Sequence, residues 1–177
     1  MVVTISGLPG SGTSTVARRL ASGLGVEHLD GGSVFRALAG EAGLALPAFA
    51  AQAEQDDTID RALDARLTER ARAGAVVLES RLAGWLVTQA DIDALRVWIG
   101  CDEAVRAARV AARDGGSAAE AQQVNRVREA SEQHRYREYY GIDLLDLTPY
   151  DLVLDSSARR PDELVDEIRA AAEKRFA

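Results

Sequence analysis

The sequence predicts a three-layer α/β protein, in which a five-stranded parallel sheet is flanked by helices on both sides. Two observations predict this fold. Five short apolar segments alternate with longer segments of helical periodicity, the pattern of parallel strands joined by helical crossovers. The first apolar segment leads through a glycine-rich junction, Gly7 to Gly12, directly into a helix. The 177 residues, 47% of them hydrophobic, suffice for one domain with its own core.

Each predicted strand is a short run of mainly apolar residues, as expected for strands that are covered on both faces. The third is the clearest, with Val76, Val77 and Leu78 in succession, and Glu79 and Arg81 lie where it ends. The predicted strands are residues 2–5, 26–30, 75–79, 95–101 and 150–155.

Apolar residues recur at steps of about four in three of the predicted helices, whereas the helix over residues 118–140 is long and polar. In the first, Val16, Leu20 and Leu24 form one face, and Gly25 supplies a helix end. Proline suits the first turn of a helix because its fixed φ is helical, and it opens two of the later helices. The predicted helices are residues 13–24, 34–41, a short one from 46, 56–73, 102–113, 118–140 and one from 161.

No repeat or low-complexity linker divides the chain, so we expect a single domain over residues 1–177. Its core comprises residues 1–35, 75–113 and 141–177, and residues 36–74 form a small helical insert. Residues 113–140 form a predicted lid, because a glycine break there lies between two arginine-bearing helices. Closure of such a segment would exclude water and complete a clamp of positive charge.

The junction after the first strand has the arrangement of a phosphate-binding loop. Gly7, Gly10 and Gly12 let the backbone turn tightly and present N–H groups inward, and the helix N-terminus adds its dipole. Ser14 lies where a hydroxyl would bind Mg²⁺, whereas Thr13 occupies the position at which the motif has lysine. A plain glycine-rich turn is the alternative, and the strand before it and the helix after it favour phosphate binding.

A second anion site is predicted at the same edge of the sheet, where the carboxyl ends of parallel strands meet. The junction after the second strand contains Asp30 and Gly31, and Arg36 lies in the helix that follows. Arg81 would reach the same cleft, and Glu79 could orient Mg²⁺ through water. Two facing anion sites favour phosphoryl transfer from a nucleotide to a phosphorylated acceptor.

The insert helix over residues 56–73 carries Ile59, Leu63 and Leu67 as an apolar stripe, and Asp60 and Asp64 lie off it. Periodicity alone favours a solvated face for these acidic residues. The alternative is that the insert covers an acceptor and supplies hydrogen bonds to its base.

Composition excludes several classes of protein. The net charge of −7 disfavours nucleic acid as a partner, and neither a membrane span nor a signal peptide is evident. One cysteine permits no internal disulfide and is typical of a reducing compartment, so we expect a cytoplasmic protein. We also expect a monomer. Of the 21 basic residues only Lys174 is lysine, so any side-chain binding of phosphate would depend on arginine.

Four stretches carry a resemblance to a known family: ISGLPGSGTSTVARRLA, LDGGSVFRALA, VVLESRLAGWL and RYREYYGIDLLDLTPYDLVLDSS. Through them the chain resembles, over essentially its whole length, the P-loop nucleoside monophosphate kinases, and among these the cytidylate kinases of archaeal type. The resemblance implies a P-loop NTPase fold and the reaction ATP + CMP ⇌ ADP + CDP. It further implies dCMP as a second acceptor and Mg²⁺ as cofactor.

The resemblance also implies roles for individual residues. Those implied to bind ATP are the loop residues and two arginines of the helix before the lid: Gly7, Leu8, Pro9, Gly10, Ser11, Gly12, Thr13, Ser14, Thr15, Arg109 and Arg113. Those implied to bind CMP are Asp30, Gly31, Arg36 and Arg81, with Asp60 and Asp64 as hypothetical contacts of the cytosine. The implied catalytic residues are Arg81, Arg128 and Arg135, and the implied Mg²⁺ ligands are Ser14 and, through water, Glu79.

Thr13 departs from the lysine of the common motif. Arg128 and Arg135 are seven residues apart and project from one side of their predicted helix. We hypothesise that one of them supplies the missing positive charge to the transferring phosphoryl group.

Three alternatives remain open from the sequence. Another small-molecule kinase of the same fold, such as an adenylate or dephospho-coenzyme A kinase, would need only different contacts in the insert. A non-catalytic nucleotide-binding protein would follow if loss of the lysine ended turnover. An RNA-associated P-loop factor is disfavoured by the negative charge.

Overall fold

The computed structural model describes all 177 residues and contains the predicted sheet. Its strands are β1 Val2–Gly7, β2 Glu27–Asp30, β3 Val76–Glu79, β4 Leu95–Gly100 and β5 Leu152–Asp155. They lie in the order β2-β3-β1-β4-β5, and every neighbouring pair is parallel. The α/β fold predicted from the sequence is confirmed, whereas its division into core, insert and lid stays a prediction.

Eight helices connect and cover these strands. They are α1 Thr13–Leu24, α2 Gly31–Glu41, α3 Leu46–Ala53, α4 Asp57–Arg72, α5 Ala83–Gln89, α6 Glu103–Asp114, α7 Ala118–Tyr140 and α8 Pro161–Arg175. No single helix has the length and apolar character needed to cross a membrane. By those two criteria alone the pair α2 and α3 would pass together, although the two helices meet at 99°.

Two helices differ from the prediction. Helix α5 was not predicted, because its 7 residues are too few to establish a helical period. Helix α2 begins at Gly31 rather than near Val34, because the Asp30 side chain accepts a hydrogen bond from the Gly32 N–H and so caps the helix three residues earlier.

The sheet has one apolar cluster on each face. Leu78 and Trp98 belong to one cluster, and Ile5, Leu20 and Ile168 belong to the other. Strand β3 lies between β1 and β2, in a register that pairs Glu79 with both Ile5 and Asp30. The ends of β1 and β2 therefore lie on either side of Glu79, and both glycine-rich junctions leave the sheet at this edge.

Helix α4 buries a different face from the one that periodicity favoured. The prediction that Asp60 and Asp64 lie on a solvated face is wrong, since the two residues are only 3% and 8% exposed. Leu67 is buried on the same face, while Ile59 and Leu63 are only half-buried. The cause is long-range, because helix α7 brings a guanidinium and a phenol against these carboxylates.

Gly84 of α5 is required by close packing. An added Cβ there would lie 2.4 Å from Tyr150 Cε1, and Tyr150 is itself packed edge-on against Trp98. We expect Gly84→Ala to lower the free energy of unfolding by about 1–3 kcal/mol, the usual range for overpacking. Urea denaturation measures this change.

Gly23 supplies the matched control, because it lies in helix α1 and its added Cβ would meet nothing within 4 Å. Gly23→Ala should leave the stability unchanged or raise it by up to about 1 kcal/mol, the difference in helix propensity. Equal stability changes in the two variants would contradict the packing argument.

Candidate active site

Close packing or a positive φ disfavours any other residue at each of three glycines between β1 and α1. Gly10 and Gly12 have φ angles of +85° and +89°, in the left-handed region that side chains disfavour. A Cβ on Gly7 would lie 2.5 Å from the Ile99 carbonyl oxygen, and one on Gly10 would lie 2.6 Å from the Arg106 carbonyl oxygen. The loop is therefore held between β4 and α6.

Several backbone N–H groups of this loop and of the first turn of α1 donate no hydrogen bond within the chain. They belong to Leu8, Gly10, Gly12, Thr13 and Ser14. The loop does contain internal bonds, from the Ser11 N–H to the Leu8 carbonyl and from the Thr15 N–H to the Gly12 carbonyl. Unpaired amides at a helix N-terminus can bind an anion, so this geometry is compatible with the phosphate-binding loop, which stays a prediction.

The residue in the place of the lysine points into the protein. Thr13 Oγ1 donates to Glu79 Oε1 over 2.8 Å, and Ser14 Oγ donates to the same oxygen over 2.6 Å. His28 Nε2 lies 3.0 Å from the other carboxylate oxygen, Glu79 Oε2. Glu79 thus holds both hydroxyls of the loop end, and His28 is a contact of this carboxylate that was not among the predicted site residues.

Arg81 connects the loop to helix α7. Its Nη1 donates to the Gly7 carbonyl over 2.7 Å, and its Nε donates to Glu132 Oε2 over 2.9 Å. Arg128 Nε donates to the second oxygen of Glu132 over 2.8 Å. Burial alone would raise the pKa of Glu132, but the Arg81 and Arg128 guanidinium groups outweigh it and hold that pKa below its ordinary value.

Two arginines of α6 support the loop from the other side. The buried Arg106 donates from Nη1 to the Pro9 carbonyl over 3.1 Å, and the same nitrogen pairs with Glu129 of α7. Arg109 donates to the carbonyl and hydroxyl oxygens of Ser156, whose hydroxyl in turn donates to the Ser11 carbonyl over 2.7 Å. Arg106 was not among the predicted site residues.

The junction after β2 forms a separate polar group. Asp30 accepts hydrogen bonds from the Gly32 N–H and the Ser33 hydroxyl, which together with the nearby Arg36 outweigh burial and lower its pKa. Arg36 Nη2 lies 3.2 Å from Asp30 Oδ2, and its side chain is exposed. Gly31 is buried against Glu79 and Ser80. Arg36 thus remains accessible at this edge.

Helices α4 and α7 share two polar pairs, one buried and one partly buried. Arg135 Nε lies 3.2 Å from Asp60 Oδ2, but the angles are not those of a hydrogen bond, so both atoms keep unused capacity. Tyr140 Oη donates to Asp64 Oδ2 over 2.6 Å. Burial raises the pKa of Asp64 to about 7, although the bond from Tyr140 opposes this.

The structure thus brings most, but not all, predicted site residues together. Ser14, Thr13, Glu79 and Arg81 are linked by hydrogen bonds around the loop. Arg113 is exposed and pairs with its neighbour Asp114, without contact to the loop. The linked residues present amide donors and guanidinium groups at one edge of the sheet, an arrangement that can bind phosphate.

Comparison with known proteins identifies the family. The model of the cytidylate kinase-like family matches residues 2–158. The chain belongs to this family. A cytidylate kinase of Halobacterium salinarum is 46% identical over 98% of this chain and 90% of its own length. A cytidylate kinase of Methanopyrus kandleri is 44% identical over 97% of this chain and 92% of its own length.

The fold is shared more widely than the family. A crystal structure of shikimate kinase from Bacteroides thetaiotaomicron covers 98% of both chains with a TM-score of 0.66, at 13% sequence identity. This likeness supports the fold alone, because proteins so distant in sequence use the same fold for different acceptors. The nature of the acceptor has to be argued from the side chains and from the family.

Three residues of the site were not predicted, and they differ in whether their neighbours in sequence indicate a role. Glu132 follows Arg128 by four residues and precedes Arg135 by three, so the three share a helix face, which is a usable signal. His28 lies two residues before Asp30 and therefore on the same face of β2. Arg106 carries no such signal, since its partners Pro9 and Glu129 are distant in sequence.

The pKa of Asp64 predicts a pH dependence of stability. The folded protein keeps this proton up to about pH 7, whereas an unfolded aspartate releases it near about pH 4. The folded state then binds more protons between these values, so Asp64 lowers the free energy of unfolding as pH rises. The Asp64→Asn variant should not show this loss. Its free energy of unfolding minus that of wild type should therefore rise by about 1 kcal/mol or more between pH 5 and pH 8.

Denaturation at several pH values measures this difference. Tyr140→Phe provides a directional check, because it removes the hydroxyl that favours the ionised carboxylate and should move the midpoint to higher pH. A stability difference between wild type and Asp64→Asn that does not vary with pH would contradict the assignment.

Proposed function

We propose that this protein transfers the γ-phosphoryl group of ATP to CMP, with dCMP as a second acceptor. The observation that carries the proposal is the similarity to cytidylate kinases along nearly the whole chain. The residues matched by the family model include every candidate site residue described above. In the reaction a phosphate oxygen of CMP bonds to the γ-phosphorus as the bond to the ADP oxygen breaks.

The loop supports the donor side of this proposal. The unpaired amides of Leu8, Gly10 and Gly12 and the N-terminus of α1 would bind the β- and γ-phosphates of ATP. Such contacts need no lysine, because backbone donors and the helix dipole supply the attraction.

The oxygen atoms at the end of the loop fit Mg²⁺. The Ser14 hydroxyl and the Glu79 carboxylate are hard oxygen ligands, and Ser14 Oγ lies 2.6 Å from Glu79 Oε1. No group of three or more His, Cys, Asp or Glu side chains could form a protein cage for a metal. This suits Mg²⁺, which keeps several waters and binds substrate phosphates. When bound with ATP, Mg²⁺ neutralises charge on the phosphates.

We assign the positive charge that replaces lysine to Arg81 and Arg128. Arg81 Nη2 has no hydrogen-bond partner in the chain, while Nε and Nη1 are held by Glu132 and the Gly7 carbonyl. Arg128 is 57% exposed and is held at its Nε by Glu132. Arg135 is a weaker candidate for this role, because its guanidinium is buried against Asp60.

On the acceptor side, we infer that Arg36 binds the CMP phosphate and that Asp60 with Arg135 contacts the base. Arg36 is accessible beside the junction after β2. Asp60 Oδ2 and Arg135 Nε keep unused hydrogen-bonding capacity, and because both atoms are buried, the base would reach them only if α4 and α7 move apart. A carboxylate accepts from an exocyclic amino group and a guanidinium donates to ring acceptors, so this pair suits cytosine.

A panel of acceptors tests the proposal. With ATP and Mg²⁺, we expect ADP formation to be fastest with CMP and dCMP and at least about tenfold slower with UMP, AMP, GMP and dephospho-coenzyme A, as differential hydrogen bonding predicts. A preference for AMP or dephospho-coenzyme A would establish the alternative kinase. ATP binding without turnover on any acceptor would establish the non-catalytic alternative.

The role of Arg128 leads to a further prediction. Arg128→Ala should lower kcat about 100-fold or more, since one preorganised donor to developing charge contributes that much. Steady-state kinetics with CMP measures this loss.

Arg126 is the matched control for Arg128. It lies on the same helix, is 58% exposed against 57% for Arg128, and is also ion-paired. Arg126→Ala should keep kcat within about twofold, because exposed ion pairs contribute little. Near-normal turnover in Arg128→Ala would contradict the assignment.

A further inference from the structure

Two carboxylates of α7 each hold an arginine that donates to a carbonyl of the phosphate loop. Glu132 accepts from Arg81, which donates to the Gly7 carbonyl over 2.7 Å. Glu129 pairs with Arg106, which donates to the Pro9 carbonyl over 3.1 Å. Each set of carboxylate, arginine and loop carbonyl is a relay, and the two relays start three residues apart on the same helix.

The arginines in both relays depend on their carboxylates. The side chains of Arg106 and Arg81 are 6% and 17% exposed, so little water solvates their charge. A buried guanidinium needs a nearby carboxylate, and Glu129 and Glu132 are the carboxylates bonded to these two. Removal of either carboxylate therefore frees its arginine to leave the loop carbonyl.

A trans peptide points its C=O and N–H groups in opposite directions. The Gly7 carbonyl shares a peptide with the Leu8 N–H, and the Pro9 carbonyl shares one with the Gly10 N–H. An arginine on each carbonyl thus fixes the direction of an N–H that has no partner within the chain. The bond also polarises the peptide, so that this N–H becomes a stronger donor.

We propose that Glu129 and Glu132 are positioning residues, which act through Arg106 and Arg81 to hold two loop amides in the orientation that binds the phosphates of ATP. This inference rests on the proposed function for the identity of the ligand. It makes α7 a support of the donor site, in addition to its contact with the insert through Asp60 and Asp64.

Calorimetric titration with ATP tests the proposal without any need for an acceptor. Glu129→Gln and Glu132→Gln should each weaken ATP binding about tenfold, the effect of losing one charge-assisted hydrogen bond. Glu129→Gln should leave the KM for CMP unchanged, because its relay reaches only the Pro9 carbonyl. Glu138→Gln, an exposed glutamate of the same helix without an ion pair, should change neither quantity. Unchanged ATP affinity in both relay variants overturns the proposal.

A double variant separates positioning from simple neutralisation of buried charge. Arg106→Gln combined with Glu129→Gln leaves no unpaired charge, so it should fold even where the single variant does not. If Glu129 only neutralises Arg106, the double variant regains wild-type affinity for ATP, and the proposal is overturned. If the arginine acts on the loop, affinity stays reduced about tenfold, because the Pro9 carbonyl has lost its donor.

The outcomes for the two proposals are distinguishable. A wild-type protein that binds ATP but phosphorylates no CMP would contradict the proposed function, while the titrations would still test the relays. A wild-type protein that phosphorylates CMP, with relay variants of normal ATP affinity, would contradict only the relays.

Discussion

A charged group removed from water needs a partner of opposite charge, and this constraint organises the carboxyl edge of the sheet. Asp60, Glu79, Arg106, Glu132 and Arg135 are all buried. Each lies against an arginine, a carboxylate, a hydroxyl or an imidazole from a different element. Unpaired, any one of them would cost several kcal/mol. The pairs therefore fix how α4, α6 and α7 sit around the phosphate loop.

The parts of the fold that local pattern determines were predictable. The limits of α1 and α7 agree with the prediction, because the apolar spacing of α1, its end at Gly25 and the Ser117 cap of α7 are local signals. The same signals fail where a residue distant in sequence determines whether a side chain is buried. Periodicity assigned Asp60 to solvent, yet α7 brings Arg135 against it from 75 residues away in sequence, and no local pattern records that contact. Arg106 was missed for the same reason, since Pro9 and Glu129 reach it only in the folded chain.

Proteins with the same fold but different side chains can bind different acceptors. The likeness to shikimate kinase covers nearly the whole of both chains at 13% identity and therefore concerns the fold alone. In this chain one residue differs in kind from the common motif, Thr13, which takes the place of lysine at the loop end. Beside it, Arg81, which follows β3, and Arg106 of α6 donate to loop carbonyls, in keeping with a sequence that contains one lysine.

The double hydrogen bond to Glu79 has a consequence for ligand choice. A hydroxyl has one proton, and Thr13 and Ser14 both commit theirs to the same carboxylate oxygen. Toward the cleft Ser14 can offer only lone pairs, which repel the oxygens of a bare polyphosphate. If the nucleotide is already complexed with a divalent cation, that cation is attracted to the lone pairs of Ser14. Under the proposed function, the loop end would therefore favour the nucleotide complexed with a divalent cation over its free form.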